Sequence, residues 1–165
     1  MKTLVFLAGA AVAAVLLAPG AAHGESAYGS VGYAHTRDDD AGADMGALQG
    51  RLGVQATPMI GVEAEAARGV NNDDRGKLDS QMGVYGVARA PVSRNLDVHA
   101  RVGYSRVNEF GRGANAGNNL RDDGVGYGVG AQVNMNERWG VRGDWTRHDG
   151  NRDVDTVGAS VVRKF

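Results

Sequence analysis

At 165 residues the chain has room for one domain and little more, and it has no cysteine, so no disulfide framework holds it together. Eighteen lysines and arginines against 19 acids leave a formal charge of −1, too little to favour a nucleic-acid partner. Twenty-six glycines and only three prolines make the chain glycine-rich and proline-poor.

The first 24 residues read as a secretory signal peptide. Met1-Lys2 is a short positive start, Leu4 to Leu17 is an apolar run, and Pro19 ends it. Ala22-His23-Gly24 then places small residues at −3 and −1 of a cleavage after Gly24. The run is shorter than the roughly 20 residues of a membrane helix. No cysteine follows it, so no lipid anchor is expected. Residues 25–165 form the predicted domain. Nothing in it is long and apolar enough to be a second helix span. A membrane-embedded chain of this kind must therefore be a closed barrel, because lipid leaves no partner for open backbone polar groups.

Eight segments of about ten residues follow, at 26–36, 46–56, 60–69, 80–90, 96–107, 124–134, 139–148 and 154–165. Each has the length of a tilted transmembrane strand. The first is ambiguous, since either Tyr28 or the Gly29, Val31, Tyr33 set could face outward. In the second, Leu48, Gly50, Leu52 and Val54 oppose Gln49, Arg51, Gly53 and Gln55. In the third, Ile60, Val62, Ala64 and Ala66 oppose Glu63 and Glu65. In the fourth, Val84 and Tyr85 compete for the apolar side. The last four alternate cleanly: Leu96, Val98, Ala100, Val102, Tyr104; then Val125, Tyr127, Val129, Ala131, Val133; then Trp139, Val141, Gly143, Trp145; then Val157, Ala159, Val161, Phe165. A period of two is a strand signature and not a helical one.

The connections alternate as well. Arg37–Asp44, Val70–Asp79, Asn108–Asp123 and Asp149–Asp153 are polar and mostly long. Thr57-Pro58-Met59, Pro91–Asn95 and Asn134–Arg138 are tight. Long loops at one end and short turns at the other are the outer and periplasmic ends of an outer-membrane barrel.

Arg51, Glu63, Glu65, Asp97, Arg101, Arg142, Asp144 and Lys164 all fall on the non-apolar parity, four acids and four bases. Buried charges must be paired, and this balance favours placing them inside. Arg51, Glu63, Glu65, Arg101, Arg142 and Asp144 lie four to six residues from their short turns. They are expected to form one band of ion pairs that plugs a lumen only wide enough for side chains. Tyr104, Tyr127, Trp139, Trp145 and Phe165 carry the opposite parity and fall into two groups, the aromatic girdles of a membrane barrel.

On these residues the chain resembles the small outer-membrane β-barrel (OmpA-like, porin family) domain. The resemblance is carried by Gly50-Arg51-Leu52-Gly53, Ile60-Gly61-Val62-Glu63-Ala64-Glu65, Arg101-Val102-Gly103-Tyr104, Gly126-Tyr127-Gly128-Val129-Gly130-Ala131, Trp139 to Trp145, and Val157 to Phe165. It implies an all-β, eight-stranded, up-and-down antiparallel transmembrane barrel in the outer membrane of a Gram-negative bacterium. It also implies that Ala159, Val161 and Phe165 form the C-terminal signal read by the barrel-assembly machinery. Arg163 departs from that signal's apolar spacing. Larger members add a peptidoglycan-binding domain after the barrel, and none is expected after Phe165.

Chemistry is sparse. His35, His99 and His148 lie on different segments, so neither a metal site nor a cofactor is expected. His99 reads as part of the polar interior. Small barrels that modify lipid A need a serine, a histidine and a carboxylate together, and His148-Asp149 is the nearest candidate. Asn71 to Gly76 resembles a calcium loop loosely, but Met82 stands where its final glutamate belongs. Gly126, Gly128 and Gly130 lack the helix of a dinucleotide loop. Asp38-Asp39-Asp40 and Asp73-Asp74 read as solvated loop tips that could meet cations bridging lipopolysaccharide. The expected protein is not an enzyme. It is a monomer in contact with membrane lipid and lipopolysaccharide, with a structural or surface-interaction role. A narrow pore and a lipid A-modifying barrel are the alternatives.

Overall fold

A computed structural model describes residues 26–38, 43–71, 77–110, 119–149 and 154–165. The signal-peptide region lies outside these residues, as do the loop tips that hold Asp39-Asp40 and Asp73-Asp74. Eight strands are present: β1 Ser26–Asp38, β2 Ala43–Gln55, β3 Ile60–Asn71, β4 Lys77–Pro91, β5 Leu96–Phe110, β6 Asn119–Asn134, β7 Trp139–Asp149 and β8 Val154–Lys164. Each is antiparallel to its sequence neighbours, and β1 pairs with β8 to close the barrel. This is the expected all-β, up-and-down architecture. No described helix is long and apolar enough to cross a membrane, which says nothing against crossing by strands.

The strands begin at or near the predicted short-turn ends but run further at the opposite end. β4, β5 and β6 reach Lys77, Phe110 and Asn119, into segments expected to be loops. The polar composition that marked those stretches as loops does not prevent ladder pairing, which uses backbone groups alone.

The tight turns are held by side chains that stand in for backbone. Thr57 Oγ1 accepts from the Ile60 amide at 3.0 Å, and Asn136 Oδ1 accepts from the Arg138 and Trp139 amides at 2.9 and 2.8 Å. Ser and Asn do this work in turns generally. Pro58 sits in its turn, and Pro91 is the last residue of β4, where an absent amide proton ends the ladder without cost.

Following paired residues around the barrel gives its stagger. From Asp97 the line runs through Gln132, Arg142, Ser160, Gly32, Gln49, Ala67 and Gln81, and returns to β5 at Val107, ten residues further along. Eight strands with that shear tilt by about 40° and enclose a backbone radius of about 8 Å. Once the wall's own thickness is removed, only side chains fit inside.

The register resolves the two ambiguous strands. Tyr85 is fully buried while Val84 is 60% exposed, and Tyr28 is 4% exposed while Tyr33 is 45% exposed. Both Tyr28 and Tyr85 therefore point inward. Elsewhere the outside carries Leu48, Leu52, Val62, Val102, Val129, Val141 and Val157, while the buried side carries Arg, Glu, Asp, Gln, Ser, Thr and His. The apolar pattern is inverted relative to a water-soluble barrel.

Candidate functional site

The barrel interior at mid-height holds three arginines and three carboxylates. Arg51 on β2 lies directly across from Glu65 on β3, and Glu63 precedes Glu65 on the same face. Arg101 comes from β5, and Arg142 and Asp144 from β7. The residues flanking these positions on neighbouring strands are often glycine: Gly53 beside Glu63, Gly128 beside Arg101, and Gly130 and Gly158 beside Asp144. A Cβ at Gly53 would press on the Tyr28 ring, one at Gly128 on Thr146 and one at Gly130 on His99, so these glycines make room for the side chains that contact the charged groups.

The contacts are dense. Arg51 donates through Nε to Glu65 at 2.8 Å and through Nη1 to Asp144 at 2.6 Å. Arg142 donates through Nη1 to Glu63 at 2.6 Å and through Nε to Asp144 at 2.8 Å. Arg101 Nη1 reaches both Glu63 and Glu65, while its Nε and Nη2 donate to Thr146 Oγ1 at 3.1 and 2.7 Å. All six side chains are at most 3% exposed. Each carboxylate meets at least two guanidinium groups, so its desolvation is offset by several charge-assisted hydrogen bonds.

Further residues complete this layer. Tyr28 donates its hydroxyl to Glu63 at 2.8 Å, and the Tyr85 ring lies under the Arg101 guanidinium, 4.3 Å from centroid to Cζ. His99 Nε2 is 2.7 Å from Asp144. The rings need room, and glycines provide it. A Cβ at Gly83, Gly103 or Gly126 would press on Tyr85, and one at Gly130 would press on His99. The glycines of β6 thus serve packing.

Two smaller clusters flank the band. Toward the long loops, His148 touches Ser105 Oγ through Nδ1 at 3.0 Å and Gln81 through Nε2 at 3.1 Å. The sequence suggested Asp149 as the partner of His148, but alternation turns the exposed Asp149 to the other side of β7. The third member is an amide and not a carboxylate. Toward the short turns, Gln132 donates to Asn134 at 2.7 Å and Asn134 donates to Asp97 at 2.8 Å. Asp97 and Lys164 are half-buried at this rim, away from the central six. No group of three or more His, Asp or Glu suited to a metal ion occurs among the described residues.

On the outside, Trp139, Tyr104, Tyr127, Trp145 and Phe165 are all exposed, between 37% and 54%. Tyr33 at 45% joins the long-loop group. Trp139 and Trp145 share β7 and lie six residues apart, which is about 15 Å along the barrel axis. Ala159 and Val161 face outward with them. Arg163 pairs in register with Trp139, and its guanidinium lies 5.7 Å from the Trp139 ring and 5.2 Å from the Phe165 ring. Cation–π contact with two aromatics explains how a charge occupies an outward position.

Alternation put Gln132 and Thr146 on the polar face, and both are buried in the interior, whereas it left Tyr28 and Tyr85 open between two faces and did not single out Arg89. Tyr85 and Arg89 share one parity of β4, and two competing aromatic and aliphatic candidates hid it. A tyrosine's hydroxyl was the available signal, because a buried ring of this kind needs a polar partner.

A family model described as outer membrane protein beta-barrel domain matches residues 4–165. The curated proteins hold no significant sequence match. Among solved structures, the N-terminal β-barrel domain of Pseudomonas aeruginosa OprF is similar, with a TM-score of 0.69 at 12% identity, covering 85% of this chain and 97% of that one. Ail, the attachment invasion locus protein of Yersinia pestis, solved with the heparin analogue sucrose octasulfate, has a TM-score of 0.61 at 14% identity, covering 86% and 99%. Neisserial surface protein A has a TM-score of 0.58 at 12% identity, covering 88% and 100%. At these identities the structures share the fold.

Proposed function

The chain belongs to the outer membrane protein β-barrel domain family, and from that premise we propose that it is a structural or surface-interacting barrel whose lumen is closed by its own ion pairs. The family supports a place in the bacterial outer membrane, where the apolar outer wall meets lipid and the girdle aromatics meet the headgroup regions. One observation carries the closed-lumen reading. Arg51, Glu63, Glu65, Arg101, Arg142 and Asp144 bond to one another across the barrel's width, from β2 and β3 to β5 and β7. A bore of this radius filled by such a band leaves no continuous water path.

Residues 1–24 then act as the cleaved signal peptide. Ala159, Val161 and Phe165 present the assembly signal, and lipopolysaccharide and lipid are the partners of a monomeric barrel. Two neighbouring structures bear names that refer to attachment and to the cell surface, which agrees with function residing in the long loops.

Heat-modifiability gels on fractionated membranes test location, and planar-bilayer recording tests closure. The expected result is an outer-membrane protein with a shifted unboiled band and no steady conductance. Discrete steps that change in Arg101→Ala would replace this reading with a narrow pore. Among the described residues, the Ser105–His148 contact is the one feature an enzyme could use. It is buried within the lumen and completed by an amide. Lipid A from expressing cells is therefore expected to keep its mass, with or without His148→Ala.

A further inference from the structure

The buried charges of the barrel interior do not balance. Among the described residues, four buried arginines (Arg51, Arg89, Arg101 and Arg142) face three buried carboxylates (Glu63, Glu65 and Asp144). The first-named network uses all three carboxylates on Arg51, Arg101 and Arg142. Arg89 is left over. It is 8% exposed, and its Nε and Nη2 atoms are buried without a hydrogen-bond partner. These two nitrogens form one edge of the guanidinium plane, the fork that accepts a carboxylate or phosphate side-on with two parallel bonds. The face of the same group rests on Tyr28, 5.2 Å from its ring. Stacking occupies the face and leaves the edge free.

The surroundings are those of a site. Arg89 lies directly across the ladder from His99, and Asp97, two residues before His99, lies across from Gln132. His99 Nδ1 and Gln132 Oε1 are also buried and unpartnered. Unmet polar atoms thus occur at neighbouring register positions of three adjacent strands, β4, β5 and β6, from the edge of the central layer toward the short turns. Buried polar groups left unpaired are costly, and an isolated buried cation more so. At the rim, Lys164 lies within electrostatic reach of both Arg89 and Asp97. Asp97 is engaged by Asn134 at 2.8 Å. The Lys164 and Asp97 charges offset one another, so the excess positive charge remains on Arg89.

We propose that the short-turn end of the lumen is an anion site, in which Arg89 holds one small oxyanion of the phosphate class by its Nε–Nη2 edge. A protonated phosphate suits the set better than a carboxylate does. It accepts from Arg89 and can also donate a hydroxyl to an acceptor such as Gln132 Oε1. The site is separate from the central six residues and owes nothing to the long loops.

The test uses the refolded 15N-labelled barrel in zwitterionic micelles, titrated with inorganic phosphate against chloride at constant ionic strength. The expected result is a saturable shift of the Arg89 Nε–Hε resonance with phosphate and none with chloride. Arg89→Lys keeps the charge and loses the fork, and is expected to bind phosphate at least ~10-fold more weakly, followed by 31P line broadening. Arg89→Met is expected to show no binding. Where it gives no heat-modifiable band, Arg89→Lys carries the comparison alone. A second arm compares phosphatidylcholine with phosphatidylglycerol vesicles in the absence of phosphate. A resonance shift only in phosphatidylglycerol supports the site with a lipid headgroup as its occupant. A wild-type resonance that responds to neither phosphate nor phosphatidylglycerol overturns the proposal and leaves the fork to water. Equal phosphate affinity in wild type and Arg89→Lys overturns it as well.

Discussion

Replacing Glu63 by glutamine removes one negative charge from the centre of the barrel and almost no volume. Glu63 is 1% exposed. It accepts from Tyr28 at 2.8 Å, Arg142 at 2.6 Å and Arg101 at 3.2 Å, and Arg51 Nε stands 3.7 Å away. After Glu63→Gln, four buried arginines face two carboxylates. Losing one partner of a buried pair costs about 3–5 kcal/mol, because the remaining charge is stranded in a medium that cannot solvate it. With a urea dependence of about 2 kcal/mol per molar, the unfolding midpoint falls by about 2 M. Urea titration of the barrel in lipid vesicles measures this, followed by tryptophan fluorescence and by the gel shift to check that both report one transition. The combined change Glu63→Gln with Arg142→Met restores the original excess of one positive charge and leaves Asp144 with Arg51 and His99. It is expected to recover at least half of the loss. A single variant within about 0.5 kcal/mol of wild type, the usual range for an inconsequential substitution, would refute the account of a dry, mutually dependent network. So would a double variant whose losses simply add.

Three further outcomes are expected. Gly103→Val should abolish the folded gel band, because a Cβ at that position overlaps the Val84 carbonyl oxygen and lies 2.6 Å from Tyr85 Cα, and backbone cannot move aside. Single-tryptophan variants that keep Trp139 or Trp145 should both be quenched by brominated lipids, and quenching of neither would place the apolar face inside a soluble barrel. Phe165→Ala should lower the amount of assembled barrel in cells while leaving refolding into detergent close to wild type; an equal deficit in both would make Phe165 a stability residue and not a signal.

Local alternation is what a strand's own residues announce, and it was enough to count eight strands and to place their short turns. Parity is a property of positions two apart, so Arg51, Glu63, Glu65, Arg101, Arg142 and Asp144 could be assigned to one face from the chain alone. Where a strand offered two rival apolar sets, as β1 and β4 did, parity could not choose. The inward Tyr28, Tyr85 and Arg89 went unrecognised for that reason. The outer extensions of β4, β5 and β6 were hidden too, because backbone pairing imposes little on side-chain composition.

Height inside the barrel is a different kind of quantity. It depends on the stagger of ten residues accumulated around eight strands, which exists only once β1 has paired with β8. That closure brings Arg51 to Asp144, 93 residues away, and His99 to the same carboxylate. It also leaves Arg89 one layer below, beside Tyr28 and beyond reach of any buried carboxylate. The sequence by itself determined which residues share a face, since that follows from period-two alternation within a strand, and its balanced charges and grouped aromatics favoured the charged face as the inner one. Only the tertiary structure decided which charges meet, because contact across a barrel is set by shear, and shear belongs to the closed sheet.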